Sequence, residues 1–151
     1  MDQELKELYQ QVILDHNKSP RNFRKMENAS SQAEGYNPLC GDHIDVYVLV
    51  EDGIVKDVSF NGEGCAISKA SASVMTSMLK GKSKEEAEKL FNKFHNLVTG
   101  KLGDDPEVED LGKLAVFAGV QEFPIRVKCA SLAWHTLMSA LSDNENKVTT
   151  E

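Results

Sequence analysis

No stretch of this sequence approaches the roughly 20 consecutive apolar residues of a membrane-spanning helix, so nothing in it reads as a helical membrane anchor. It also lacks a glycine-rich phosphate loop, an internal repeat and a low-complexity tract. Basic charge is in deficit: 17 Lys and Arg against 24 Asp and Glu leave a formal charge of −7. That balance argues against non-specific nucleic-acid binding, which runs on phosphate neutralisation. The opening MDQELKELYQQ carries acids and no apolar segment, so it does not read as a secretory signal. The expectation is a cytoplasmic protein. Cysteine is scarce and odd in number, with Cys40, Cys65 and Cys129 alone. Three thiols in a reducing compartment do not make a disulfide framework, which leaves metal binding or thiol chemistry as the question. What is present is ordinary for a globular chain: 151 residues, 40% hydrophobic and 27% charged. This is enough for one domain over residues 1–151 with its own core, and the polar residues 142–151 read as a frayed tail.

Hydropathy periodicity places the elements. Leu5, Leu8, Tyr9, Val12 and Ile13 form a helical stripe in residues 2–17, ended at Ser19-Pro20. Residues 24–38 are polar and aperiodic and read as a flexible loop. Residues 43–50, HIDVYVLV, alternate, with Ile44, Val46, Val48 and Val50 on one face. Residues 54–60, IVKDVSF, put Ile54, Val58 and Phe60 on one face. Asp52-Gly53 is a two-residue hairpin signal, yet straight pairing through it sets Val48 against Asp57. A three-residue loop, Glu51-Asp52-Gly53, pairs Val50 with Ile54, Val46 with Val58 and Ile44 with Phe60. It keeps the apolar faces together, with Gly53 in a G1 bulge, and is the expected register. Ser68 is the expected N-cap of a helix over 69–80, closed by Gly81. Ser83-Lys84-Glu85-Glu86 is a capping box that opens a helix closed by Gly100. The acidic connector KLGDDPEVED leads to a shorter helix over 111–121. A final helix after Pro124 carries Cys129, Leu132, Ala133, Leu137, Ala140 and Leu141 on one stripe, with Trp134 at the core's edge. A hairpin-based antiparallel sheet followed by helices reads as α+β.

Each cysteine stands at the mouth of an element. Cys40 lies in NPLCGD, between a proline-led turn and the first strand. Cys65 follows a glycine turn before a helix, and Cys129 is expected in the first turn of the last helix. The free N–H groups and positive dipole end of a helix N-terminus stabilise a thiolate, the form that binds metal and attacks sulfur. The plain alternative is three unrelated buried cysteines. For Cys129 alone, on its apolar stripe, that is the stronger reading. For Cys40 it is the weaker one, because a buried cysteine needs neither a turn nor a nearby aspartate. The spacing, C-G-D, 22 residues, C, 63 residues, C, is no short-range zinc signature and leaves both readings open. Tetrahedral zinc would require a fourth ligand. The candidates are Asp42 and the four histidines, His16, His43, His95 and His135. His43 carries weight by adjacency. Asp42 fits better, because residues two apart in an extended segment point the same way.

Three segments, NPLCGD (37–42), GEGCAISKASAS (62–73) and FPIRVKCASLAW (123–134), resemble the cysteine motifs of the IscU/NifU-like iron–sulfur cluster assembly family. DHNKSPRN (15–22) resembles the family's N-terminal region, and the likeness runs from about Leu5 to Leu141. Lys128 stands where the scaffold branch usually has a histidine before the third cysteine. The stretch between Cys65 and Cys129, with its helix over 84–99, is also longer. Both features resemble the zinc-binding SufU branch. The resemblance implies an IscU-like α+β fold, with a short third strand beside hairpin 43–61 and helices covering the sheet. It implies Zn2+ held by Cys40, Asp42, Cys65 and Cys129, with Cys40 the sulfur acceptor of a zinc-dependent sulfurtransferase. The implied donor is a PLP-dependent cysteine desulfurase of the SufS type, one of whose histidines would take Cys40's place on zinc. A downstream iron–sulfur scaffold is the implied recipient. Arg126 matches an arginine of the third motif and is carried as an auxiliary residue. Two alternatives stand beside this one. One is a scaffold assembling a transient [2Fe–2S] cluster on the same cysteines; the other is a structural zinc module without sulfur chemistry.

Overall fold

The alternating residues of two consecutive strands build the centre of the sheet. In the computed structural model, which describes residues 3–101, 106–142 and 147–149, β2 (Asp42–Glu51) and β3 (Ile54–Glu63) form an antiparallel hairpin. The segment β1 (Ser31–Asn37) pairs antiparallel with the other edge of β2, and β4 (Lys147–Thr149) pairs parallel with β1, giving the order β3-β2-β1-β4. Five helical segments accompany the sheet: α1 (Gln3–Lys18), α2 (Ala66–Leu79), α3 (Lys84–Val98), a 3-10 stretch (Pro106–Glu122) and α4 (Pro124–Ser142). The α+β expectation holds.

The inward face of the sheet carries Ala33, Ile44, Val46, Val48, Val58 and Phe60, all buried. Helices α2 and α4 cover it with Ala70, Val74, Met75, Leu132, Ala133 and Leu137. Trp134, expected at the edge, is fully buried and stacks on Phe94 of α3 with centroids 4.8 Å apart. The core therefore continues past α4 to α3, which starts at the expected capping box: Ser83 Oγ accepts from Glu86 N and Ser83 N donates to Glu86 Oε1. Helix α1 lies on α2 through Tyr9, Val12 and Ile13, while Leu8 is 58% exposed. The buried His16 Nδ1 sits 2.7 Å from Ser73 Oγ and fastens the end of α1 to α2.

Several expectations need correction. The segment read as a loop over 24–38 contains β1. Its inward positions are Ala33, Gly35 and Asn37, too small and polar to announce a strand. The reason is the closeness of α4: a Cβ on Gly35 would overlap Thr136 Oγ1 and lie 3.0 Å from Leu132 Cδ1. The hairpin register also differs. Glu51 faces Ile54 across a two-residue turn in which Asp52 and Gly53 both have positive φ, 54° and 76°. A bulge follows between Leu49 and Val50, so that Val48 faces Val58 and Val46 faces Phe60. The apolar faces still meet, but the bulge lies inside the ladder and not at the turn. Helix α2 starts at Ala66, with Cys65 as its N-cap in place of Ser68. Helix α4 starts at Pro124, a residue suited to a first helical position, which puts Cys129 in the second turn. The helix expected over 111–121 is the second part of the longer 3-10 stretch, kinked at Gly112. Of the tail from Ser142, residues 147–149 form β4; residues 143–146 and 150–151, like 102–105 of the acidic connector, lie outside the described residues. Among the described residues no helix is long and apolar enough to cross a membrane.

Replacing Gly35 by Ala is expected to cost about 1–3 kcal/mol through overpacking of α4 on β1. Urea unfolding of the two proteins measures it, with a lower midpoint and an unchanged slope as the expected result.

Candidate metal centre

The β1–β2 hairpin closes from Asn37 to Asp42, which face each other in register. The four residues between them form the tip, where the Cys40 N–H donates to the Asn37 carbonyl and Gly41 has φ 71°. This exposes Cys40 and turns Asp42, the first residue of β2, inward at 2% exposure. Strand β3 then delivers Cys65 to the start of α2. The Cys65 Sγ accepts from Ser68 N at 3.4 Å, so the thiol caps the helix whose dipole favours its charged form. Helix α4 brings Cys129 beside α2, where Ser71 Oγ donates to the Ala130 carbonyl at 2.6 Å.

These elements bring the sequence-derived residues together. Donor atoms of Cys40, Asp42 and Cys129 all lie within 4.8 Å of one another. The Cys129 thiol donates to Cys40 Sγ at 3.2 Å. Cys65 joins them through Asp42: its backbone N–H donates to Asp42 Oδ1 at 2.8 Å, and its Sγ is 3.9 Å from Oδ2. The neighbouring Cys129 thiol holds the Cys65 thiol down at about 7 against the raising effect of burial, with the Ser68 N–H assisting. Interaction with Cys65, then burial and the contact with Cys40, push the Cys129 thiol up. Within this pair Cys65 is the more readily ionised thiol.

Two further residues shape the site. Asn37, fully buried, donates from Nδ2 to Asp42 Oδ2 at 3.2 Å and to Cys129 Sγ at 3.4 Å. Nothing in the sequence singles out Asn37 beyond its place in NPLCGD; its signal is an amide at an inward strand position, where a buried polar group needs partners. Gly64 leaves room for the carboxylate, since a Cβ there would come within 2.9 Å of Asp42 Oδ1.

The other candidates fall elsewhere. His43 points to the opposite face of the sheet, stacked on Tyr36 and 3.1 Å from Asp45. His16 is held by Ser73. His95 and His135 lie with Phe91 between α3 and α4. Arg126 is exposed in the first turn of α4 with its guanidinium 4.3 Å from the Phe123 ring centroid. The remaining donor set fits a divalent metal. Asp42 is a buried carboxylate, and among the described residues no lysine or arginine pairs with it. A buried charge without a counter-ion is costly, and a cation between the carboxylate and the thiols removes that cost.

In metal-free protein, alkylation with iodoacetamide followed by peptide mass spectrometry is expected to modify Cys129 last, since only 3% of it is exposed. Equal rates at all three thiols would contradict the burial order.

The model of the NifU-like N terminal domain matches residues 8–151. The chain is 44% identical to the zinc-dependent sulfurtransferase SufU of Bacillus subtilis, over 91% of this chain and 92% of that one. It is 39% identical to the iron–sulfur cluster assembly scaffold protein IscU of Streptococcus pyogenes, over 94% and 87%. Among solved structures, a proposed iron–sulfur cluster assembly scaffold protein for the SUF system from Fervidobacterium islandicum superposes with a TM-score of 0.80. It is 40% identical, covering 86% of this chain and 93% of that one. With the site geometry and these matches in agreement, the chain belongs to the NifU-like N-terminal domain family, alongside SufU and IscU proteins.

Proposed function

We propose that this protein is a zinc-dependent sulfurtransferase of iron–sulfur cluster assembly that accepts sulfur on Cys40 from the persulfide of a cysteine desulfurase. The observation that carries this reading is the exposure gradient across one donor set: Cys40 exposed, Cys65 half-buried, Cys129 and Asp42 buried. Attack on a partner's persulfide needs a thiol that the partner can reach, and the hairpin tip supplies one. Support also comes from the 44% identity to a zinc-dependent sulfurtransferase. Leu39, beside Cys40, is 62% exposed, and Ile125, one turn before Cys129, is 56% exposed. These side chains offer a partner an apolar rim.

The proposed ligands are Cys40, Asp42, Cys65 and Cys129. Zinc bound there keeps its cysteines deprotonated and shielded from oxidation. The chain's own residues do the rest. Asn37 and the Cys65 N–H fix the carboxylate of Asp42, so the buried part of the set keeps its shape while the hairpin tip presents Cys40. The Cys40 thiolate attacks the terminal sulfur of the partner's persulfide. A new S–S bond forms at Cys40, the partner's S–S bond breaks, and its cysteine leaves as a thiolate. The exchange is redox-neutral and needs no further reactant. Arg126, in the exposed first turn of α4, is an auxiliary positive charge for that encounter.

The competing reading, assembly of a [2Fe–2S] cluster on the same residues, draws on the likeness to the IscU scaffold. The lysine at 128, directly before Cys129, counts against it. The test is labelled-sulfur transfer from a PLP-dependent cysteine desulfurase. Wild-type protein is expected to acquire one persulfide at Cys40 by mass spectrometry, and Cys40→Ser to fall to background. Undiminished transfer to Cys40→Ser would reject Cys40 as the acceptor. Anaerobic binding of iron and sulfide in matching amounts, with a visible chromophore, would favour the scaffold.

A further inference from the structure

The outer face of the sheet, opposite α2 and α4, carries a second group of donor side chains. The alternation that turns Asn37 and Asp42 inward turns Glu34 of β1 and His43 and Asp45 of β2 outward. One donor atom from each of these three lies within 4.8 Å of the other two. The His43 ring is fixed: it stacks on Tyr36 with centroids 4.5 Å apart and planes 26° apart, and its Nε2 is 3.1 Å from Asp45 Oδ1. Glu34 stands directly across from Asp45, and Glu63 of β3 stands directly across from His43.

Two like charges directly opposite each other destabilise a sheet. Among the described side chains, no lysine or arginine pairs with Glu34 or Asp45. Lys147 of β4 stands in register with Glu34, but Asp45 and His43 have only Glu34, Tyr36, Asn61 and Glu63 across from them. The face thus brings one oriented imidazole and two carboxylates to a single point, with excess negative charge around it.

We propose that Glu34, His43 and Asp45 form a second, exchangeable site for a divalent first-row cation. It is separate from the thiol-bearing site on the inner face. One nitrogen and two carboxylate donors suit Mn(II), Fe(II) or Co(II), with the open positions taken by water. The ion takes the place between Nε2 and Oδ1 now bridged by a hydrogen bond, and it cancels the repulsion between Glu34 and Asp45. Sorting between the two sites follows donor softness: thiolates retain zinc, and the oxygen-rich outer site takes the harder ion. Asp42 and His43 are consecutive residues of one strand, so the two ions occupy opposite faces of the same sheet segment. The assignment rests on the outer face alone and stands whether or not Cys40 accepts sulfur.

The test is a Co(II) titration of protein already loaded with zinc, followed by calorimetry and visible absorption. The expected result is one further Co(II) per chain, with weak d–d bands and no sulfur-to-cobalt charge-transfer band. Asp45→Asn and His43→Gln are each expected to weaken that binding about tenfold or more, with zinc content unchanged. Glu34→Gln, on the neighbouring strand, is expected to weaken it too, and guards against a β2 substitution that disturbs Asp42. The site is overturned by the absence of a further Co(II), by equal binding in all three variants, or by a thiolate charge-transfer band, which would put the cobalt among the cysteines.

Discussion

The Asp42 carboxylate accepts the Cys65 N–H on one oxygen and the Asn37 amide on the other, and through these two bonds it joins the ends of β1, β2 and α2. The donor residues around it are placed by different forces. Burial of Ile44, Val46 and Val48 fixes which way β2 faces, and with it the inward turn of Asp42. At the start of α2, the neighbouring Cys129 thiol and the Ser68 N–H both favour the charged form of Cys65. The Ser71–Ala130 bond and the shared core set α4, and thereby Cys129, against α2. A one-residue slip of β2 would send Asp42 to the outer face and His43 inward, and the donor set would be lost.

The order of exposure then divides the labour within the site. Asp42 and Cys129 are buried and keep its shape, whereas Cys40 is exposed at a hairpin tip. Among the described residues no basic side chain pairs with Asp42, and for that reason the arrangement suits a cation. A metal held by this donor set would tie the β1–β2 tip to the start of α2 and to α4, with one of its ligands accessible from outside. This combination is what the proposed transfer role requires.

Much of this was legible in the sequence, for identifiable reasons. Alternation in HIDVYVLV gave the face of β2, and the Ser83–Glu86 box gave the start of α3. Cys40 and Asp42 were expected on one extended segment, but Cys40 lies in the turn before β2, with Gly41 at φ 71°, and a donor atom of each comes within 4.8 Å by that route. β1 was not legible, because its inward residues are small or polar to admit α4, and no hydrophobic period survives. The hairpin bulge was misplaced because several registers satisfy the same apolar faces. Cys65 escaped notice as an N-cap because serine is the commoner cap and Ser68 stood three residues on. Asn37 went unassigned since its two partners, Asp42 and Cys129, meet only in the folded chain. The meeting of the three cysteines is a long-range fact of the same kind. Spacing alone left it open; the family resemblance implied it, and packing of α4 against α2 accounts for it.

The central claim is that one metal ion sits between three cysteine sulfurs and the Asp42 carboxylate. Zinc-edge X-ray absorption of the purified protein tests it most directly. The account predicts about one zinc per chain with three sulfurs at ~2.3 Å and one oxygen at ~2.0 Å, the oxygen contribution changing in Asp42→Ala. A shell with fewer than three sulfurs, or one identical in wild type and Asp42→Ala, would contradict it.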